Sequence, residues 1–150
     1  MDALKLLKDD HDKIKKLLTQ IESTTERGVK TREESYGKVK AELLVHEAIE
    51  EEVLYPALKQ HPKAKDLVLE AYEEHNVVDM VMAEIDETPY DDDTWGAKFT
   101  VMKENLEHHI EEEESEMFDQ CRQVFDEEEL QALGDEMASR KEELQKQSAA

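Results

Sequence analysis

Residues 46–56 read His46-Glu47-Ala48-Ile49-Glu50-Glu51-Glu52-Val53-Leu54-Tyr55-Pro56, and this stretch decides how the rest of the chain is read. It recurs 63 positions later as His109-Ile110-Glu111-Glu112-Glu113-Glu114-Ser115-Glu116-Met117-Phe118-Asp119. In that register His46 aligns with His109, Glu50 with Glu113, Glu51 with Glu114, Leu54 with Met117 and Tyr55 with Phe118. A repeat of this length signals two copies of one supersecondary unit. Positions i and i+4 of an α-helix share a face, so each copy aims a histidine nitrogen and a carboxylate oxygen at one spot. That pairing is a metal-ligand arrangement.

Working outward, a second repeat appears at nearly the same offset. Residues 11–21, from His11 to Ile21, align with residues 75–85, from His75 to Ile85, 64 positions on. A whole helix hairpin is therefore duplicated. The apolar series of each half carry the same interruption. Leu4, Leu7, Ile14, Leu18 and Ile21 place a first helix over Asp2–Ser23, and His11 stands at the missing member of its 3-4 spacing. Tyr36, Val39, Leu43, His46, Glu50, Val53 and Ala57 define a second helix, starting at Thr31 with Glu34 as capping-box partner. Val68, Ala71, His75, Val78, Met82 and Ile85 define a third over Lys63–Asp86. Trp95, Phe99, Met102, Leu106, His109, Glu113 and then Glu116 or Met117 define a fourth, capped by Asp93 or Thr94. A short extra helix, Glu127 to about Lys146, begins at the cap Asp126 and shows Leu130, Leu133 and Met137 on one side. Between these lie Gly28, suited to a left-handed turn, and His61-Pro62, read as a turn with an exposed histidine. Pro56 is expected to kink or tighten its helix, and Gln147–Ala150 to fray.

At 150 residues with three Pro and four Gly, the chain reads as a single all-α domain spanning 1–150. Short connections make it an antiparallel four-helix bundle of about residues 2–122, followed by the C-terminal helix of about 126–146. A formal charge of −21 argues against nucleic acid as a partner. No apolar run is long enough to span a membrane, and residues 1–5 carry no export signal. The single cysteine, Cys121, fits a reducing cytoplasm and reads as a small, partly buried side chain. A monomer or weak dimer is expected.

Buried charge is costly unless it finds a partner. Six interruptions, His11, His46, Glu50, His75, His109 and Glu113, fall at one height across four helices. A shared metal centre explains them together. Nitrogen and carboxylate oxygen without thiolate suit iron, manganese or zinc. Six ligands exceed the four of a structural zinc site. They suit two ions bridged by Glu50 and Glu113, with positions left for a bridging oxo or hydroxo species and an incoming ligand.

Asp10-His11-Asp12, His46 with Glu50-Glu51 and Leu54-Tyr55-Pro56, Glu74-His75-Asn76, and His109 with Glu113-Glu114 and Phe118 together resemble the hemerythrin family, in its bacterial HHE cation-binding branch. The resemblance covers about residues 4–137. It implies a four-helix bundle holding non-haem di-iron on His11, His46, Glu50, His75, His109 and Glu113, and a small partner such as dioxygen, nitric oxide or peroxide. Oxygen-carrying members have a further histidine one turn after the third-helix histidine, and here that position is Asp79. Asp79 reads as an orienting or exposed acid with ligation as the alternative, and Glu47 is a further candidate ligand. The missing histidine turns the expectation from oxygen carriage toward peroxide or oxygen handling with weak catalase-like turnover. Reversible binding or sensing of dioxygen or nitric oxide, and iron buffering, are the competing functions.

Overall fold

The structure, a computed structural model, describes residues 1–149. It is built from α1 (Ala3–Glu22), α2 (Val29–Ile49), α3 (Tyr55–Lys59), α4 (Lys65–Asp86), α5 (Trp95–Glu112), α6 (Phe118–Val124) and α7 (Glu127–Ala149). A π-helical turn, Glu50–Leu54, joins α2 to α3, and a second, Glu113–Met117, joins α5 to α6. The chain therefore forms a bundle of four helical rods with α7 laid on its side, against α1 and α2. No helix among the described residues is long and apolar enough to cross a membrane.

Local chemistry sets most of the boundaries. Asp2 Oδ1 accepts from the Lys5 amide at 2.8 Å and caps α1. Asp126 and Glu129 form a reciprocal capping box at α7, at 2.8 and 3.1 Å. Two expected caps are replaced. α2 starts two residues ahead of Thr31 with Gly28 as N-cap, and Gly28 has φ −97°, so no left-handed turn forms there. At α5, Thr94 does stand at the N-cap but its side chain makes no cap bond; Asp92 supplies the turn bond instead, its Oδ1 accepting from the Thr94 amide at 2.8 Å. His61 is half-buried, its ring edge-on to Phe125 at 5.4 Å, so it packs rather than projecting into solvent.

The π turns shift the seam by one residue. The Tyr55 amide donates to the Glu50 carbonyl and the Phe118 amide to the Glu113 carbonyl, five residues back in each case. Beyond Glu50, Val53 stays buried as expected, but the next buried positions are Leu54, Tyr55 and Leu58, and Ala57 is only half-buried. Beyond Glu113 they become Met117, Phe118 and Cys121, and Glu116 is exposed. Pro56 lacks an amide hydrogen and suits the first turn. The second has Asp119 at the matching position, so proline is not the common cause. What the two turns share is a buried glutamate at their first residue.

The core is split in two. One apolar cluster gathers Leu7, Ile49, Leu54, Tyr55, Leu58, Val68, Phe118 and Met137. The other gathers Ile14, Leu18, Leu43, Val78, Met82, Trp95, Phe99 and Met102. α7 runs through 23 residues, longer than expected, and continues helical to Ala149, while Ala150 lies outside the described residues. It crosses the start of α1 so closely that a Cβ on Gly134 would stand 2.3 Å from the Met1 carbonyl oxygen and 2.7 Å from the Ala3 nitrogen. Only glycine permits that approach.

Candidate metal centre

Between the two apolar clusters lies a polar layer. α1 contributes His11, α2 His46, α4 His75 and α5 His109, while Glu50 and Glu113 enter at the first residues of the π turns. All six are at most 4% exposed. Their inner atoms converge. His11 Nε2 lies 3.1 Å from His46 Nε2 and 3.2 Å from Glu113 Oε1. Glu50 Oε1 lies 3.1 Å from His46 Nε2 and 3.3 Å from His75 Nε2. His109 Nε2 lies 3.3 Å from Glu113 Oε2. The atoms fall into two groups, His11–His46–Glu50–Glu113 and Glu50–His75–His109, each within 4.8 Å. Metal–ligand bonds of about 2.0–2.2 Å place two ligands of one ion roughly 3–4.4 Å apart, so both groups have the span to hold a cation.

Each of these four histidines is tied from behind by a carboxylate. His11 Nδ1 meets Glu114 Oε2 at 2.7 Å, and His46 Nδ1 meets Asp10 Oδ2 at 3.1 Å. His75 Nδ1 meets Glu51 Oε2 at 2.9 Å, and His109 Nδ1 meets Glu74 Oε1 at 2.8 Å. In the neutral ring such a bond fixes the proton on Nδ1 and leaves the Nε2 lone pair facing the centre. The pairing obeys the duplication: Asp10 serves His46 as Glu74 serves His109, and Glu51 serves His75 as Glu114 serves His11.

That arrangement sets acceptors against acceptors. Both oxygens of Glu50, Oε1 of Glu113 and Nε2 of His109 are buried without a hydrogen-bond partner. Such groups carry a desolvation cost of about 1–3 kcal/mol each. Protons or cations remove the conflict. Burial lowers the basicity of His46, but Glu50 and Asp10 outweigh it and raise its pKa to about 10. The same opposition raises His75 to about 9 and His109 to about 11. Burial pushes the Glu113 carboxyl up, yet the adjoining Glu50, His109 and His11 hold it well below the usual carboxylate range.

A profile of the hemerythrin HHE cation-binding domain matches residues 2–121. The chain belongs to this family. A crystal structure of a hemerythrin HHE cation-binding domain-containing protein from Mycobacterium kansasii superposes with a TM-score of 0.89 at 29% identity, covering 99% of this chain and 90% of that one. Among curated proteins none matches the chain. For this HHE protein the orphaned buried atoms and the nitrogen–oxygen donor set fit bound cations.

The two extra candidates lie behind the centre. Glu47 is buried and groups with Glu51 and His75 on the Nδ1 side of that ring. Burial raises its carboxyl to about 9, opposed by His75 and reinforced by Asp79. Asp79 is exposed and joins neither inner group. Sequence reasoning did not assign Asp10, Glu51, Glu74 and Glu114 a role, although each is the chain neighbour of an inner residue. It also missed the Tyr55 hydroxyl, which donates to Glu113 Oε2 at 2.8 Å and lies 3.3 Å from His75 Nε2. Cys121 is fully buried, and burial pushes its thiol up to about 12, which removes it as a nucleophile.

Proposed function

We propose that this chain is a non-haem di-iron protein that handles oxygen species, with disproportionation of hydrogen peroxide (2 H2O2 → 2 H2O + O2) as its reaction. Its ligands are His11 and His46 on one side and His75 and His109 on the other, with Glu50 and Glu113 between them. The observation that carries the reading is the convergence of Nε2 lone pairs and carboxylate oxygens whose mutual repulsion only cations or protons relieve. When bound, iron supplies redox and Lewis-acid chemistry.

The chain's own residues do the rest. Asp10, Glu51, Glu74 and Glu114 lock the ring tautomers and raise ligand basicity. Apolar clusters on both sides of the layer keep bulk water out. Tyr55 holds a proton on Oη inside the site, and burial together with Glu113 and Glu50 keeps that hydroxyl protonated. Cleavage of an O–O bond releases oxygen atoms that must be protonated to leave as water, and Tyr55 stands within reach. Four histidines and two carboxylates are fewer donors than two six-coordinate ions would take, so this set would leave room for an incoming ligand, which favours turnover over storage.

Metal analysis of protein purified under reducing conditions should approach two irons per chain, and added peroxide should release oxygen. A reproducible single ion, or zinc alone, sinks the di-iron reading. Reversible oxygen binding without peroxide turnover returns the chain to the carrier class.

A further inference from the structure

The two halves differ in the residues beside Glu51 and Glu114. In the aligned registers Lys5 corresponds to Leu69, Lys8 to Tyr72 and Phe118 to Tyr55. In the first half Lys8 Nζ pairs with Glu114 Oε1 at 3.4 Å, and the ring against His11 is the phenyl of Phe118. An ammonium and a phenyl ring both resist one-electron oxidation. In the second half both places hold phenols, which do not.

These phenols form a continuous path. Tyr55 Oη donates to Glu113 Oε2 at 2.8 Å, and the Tyr55 ring lies 5.5 Å from the His75 ring. Tyr72 meets Tyr55 edge to face, with centroids 5.3 Å apart and planes at 81°, an ordinary aromatic contact. Tyr55 is fully buried and Tyr72 half-buried, so two touching rings link the inner carboxylate to the surface. Burial raises the Tyr72 phenol pKa, and the nearby Glu51 carboxylate raises it further. Leu69, one turn earlier on the same face of α4, is 40% exposed. The other aromatic cluster, Tyr36, Tyr90, Trp95 and Phe99, has no such path. Phe99 stands ten residues before His109, about 15 Å along α5, and Met102 and Leu106 fill the interval.

We propose that Tyr72 is a surface site of one-electron oxidation, connected to the metal centre through Tyr55, and that its substrates are neutral phenols. This rests on the di-iron reading and adds to it a peroxidase-type reaction, H2O2 + 2 AH → 2 H2O + 2 A•, where AH is the phenol. Peroxide is the oxidant and accepts two electrons and two protons. For each electron, Tyr55 passes one inward and shifts its proton along the bond to Glu113 Oε2. Tyr72 replaces that electron, the proton returns to Tyr55, and Tyr72 releases its own phenolic proton to water. The Tyr72 phenoxyl radical then takes a hydrogen atom from AH. Leu69 gives the donor an apolar surface to rest on, while Glu51 and a net charge of −21 disfavour anionic donors.

The test mixes the iron-loaded full chain with hydrogen peroxide and the spin trap tert-nitrosobutane, and locates the adduct by peptide mass spectrometry. The unaltered chain should carry it on Tyr72. It should also oxidise guaiacol, a neutral phenol, faster than homovanillate, the same phenol bearing a carboxylate. Tyr72→Phe should lose both the adduct and guaiacol oxidation, with two irons and oxygen release unchanged. Tyr72→Trp, which keeps an oxidisable ring, should retain both, and Tyr90→Phe should change neither. An adduct on Tyr90 or Trp95, or none while oxygen is released, overturns the route and leaves the di-iron reading standing. So does oxygen release that falls in Tyr72→Phe as far as guaiacol oxidation does. Equal rates for the two donors overturn the substrate class. An unaltered chain that holds no iron pair overturns the di-iron reading and this inference with it.

Discussion

On the His11–His46 side of the centre, Phe118 stacks on the His11 ring at 6.1 Å and 9°, Lys141 neutralises Asp10, and α7 closes the wall. On the His75–His109 side, the residue aligned with Phe118 is Tyr55, whose hydroxyl reaches into the site, and the wall is an open acidic groove. The inner ligands keep their duplicated pattern and the surroundings do not. One half is closed over by α7, and the other keeps an acid-lined groove facing solvent. Duplication of a hairpin supplies two matching sets of inner side chains, and divergence around them makes the two sides of the centre differ.

The largest effect should come from Glu50, the residue shared by both inner groups. Glu50→Ala should empty both positions, whereas His75→Ala should lose one ion, counted as metal per chain. Equal losses would erase the distinction between a shared and a private ligand. Next is Tyr55→Phe, which makes the second half resemble the first. It should keep two ions and lower peroxide turnover roughly 10²-fold, the ordinary value of a positioned proton donor. Unchanged turnover would remove Tyr55 from the chemistry.

A smaller, structural contrast separates the grooves. Lys141→Met leaves the Asp10 carboxylate buried without its cation and should cost about 1–3 kcal/mol, read as a lower thermal midpoint. His108→Ala, the counterpart in the open groove, should stay within about 0.5 kcal/mol and retain two ions. His109→Ala should not retain them, and the opposite result would put helix α5 out of register by about 100°.

The smallest effect is a drift with pH in the metal-free chain. Against the lowering effect of burial, carboxylates raise His75 to about 9, His46 to about 10 and His109 to about 11. A ring with a raised pKa stabilises the fold fully below its unfolded value of about 6.5, and that contribution is lost as pH rises through the folded value. The thermal midpoint of metal-free protein should therefore fall between pH 7 and 11. Metal-loaded protein should lack this component, because the cations replace the ring protons. A midpoint that climbs over the same range in the metal-free chain would contradict the assignment.

Much of this was legible in the sequence because two periodicities coincide. The 3-4 spacing of Val68 to Ile85 gave α4, and the offset of 63 tied His46–Glu50 to His109–Glu113. The same arithmetic misplaced Ala57 because it assumes an α-helix throughout, and a π turn adds a residue without any composition of its own. The reach of α7 was illegible for another reason. Leu130, Leu133 and Met137 announce an apolar side, but nothing in their spacing says which groove receives them. Lys141 meets Asp10 across 131 positions, beyond any local pattern.

That separation has a consequence for how the molecule is made. A ribosome adds about 5–20 residues per second, so roughly 7–26 s pass between the synthesis of Asp10 and that of Lys141. Throughout that interval Leu6, and later Ile49 and Val53, stand on the nascent chain without the helix that will cover them. The acidic groove of the second hairpin needs no such cover. The early half of the polypeptide is thus the part exposed to mispairing and chaperone capture during translation, and truncation before α7 should leave a sticky intermediate rather than a smaller working bundle.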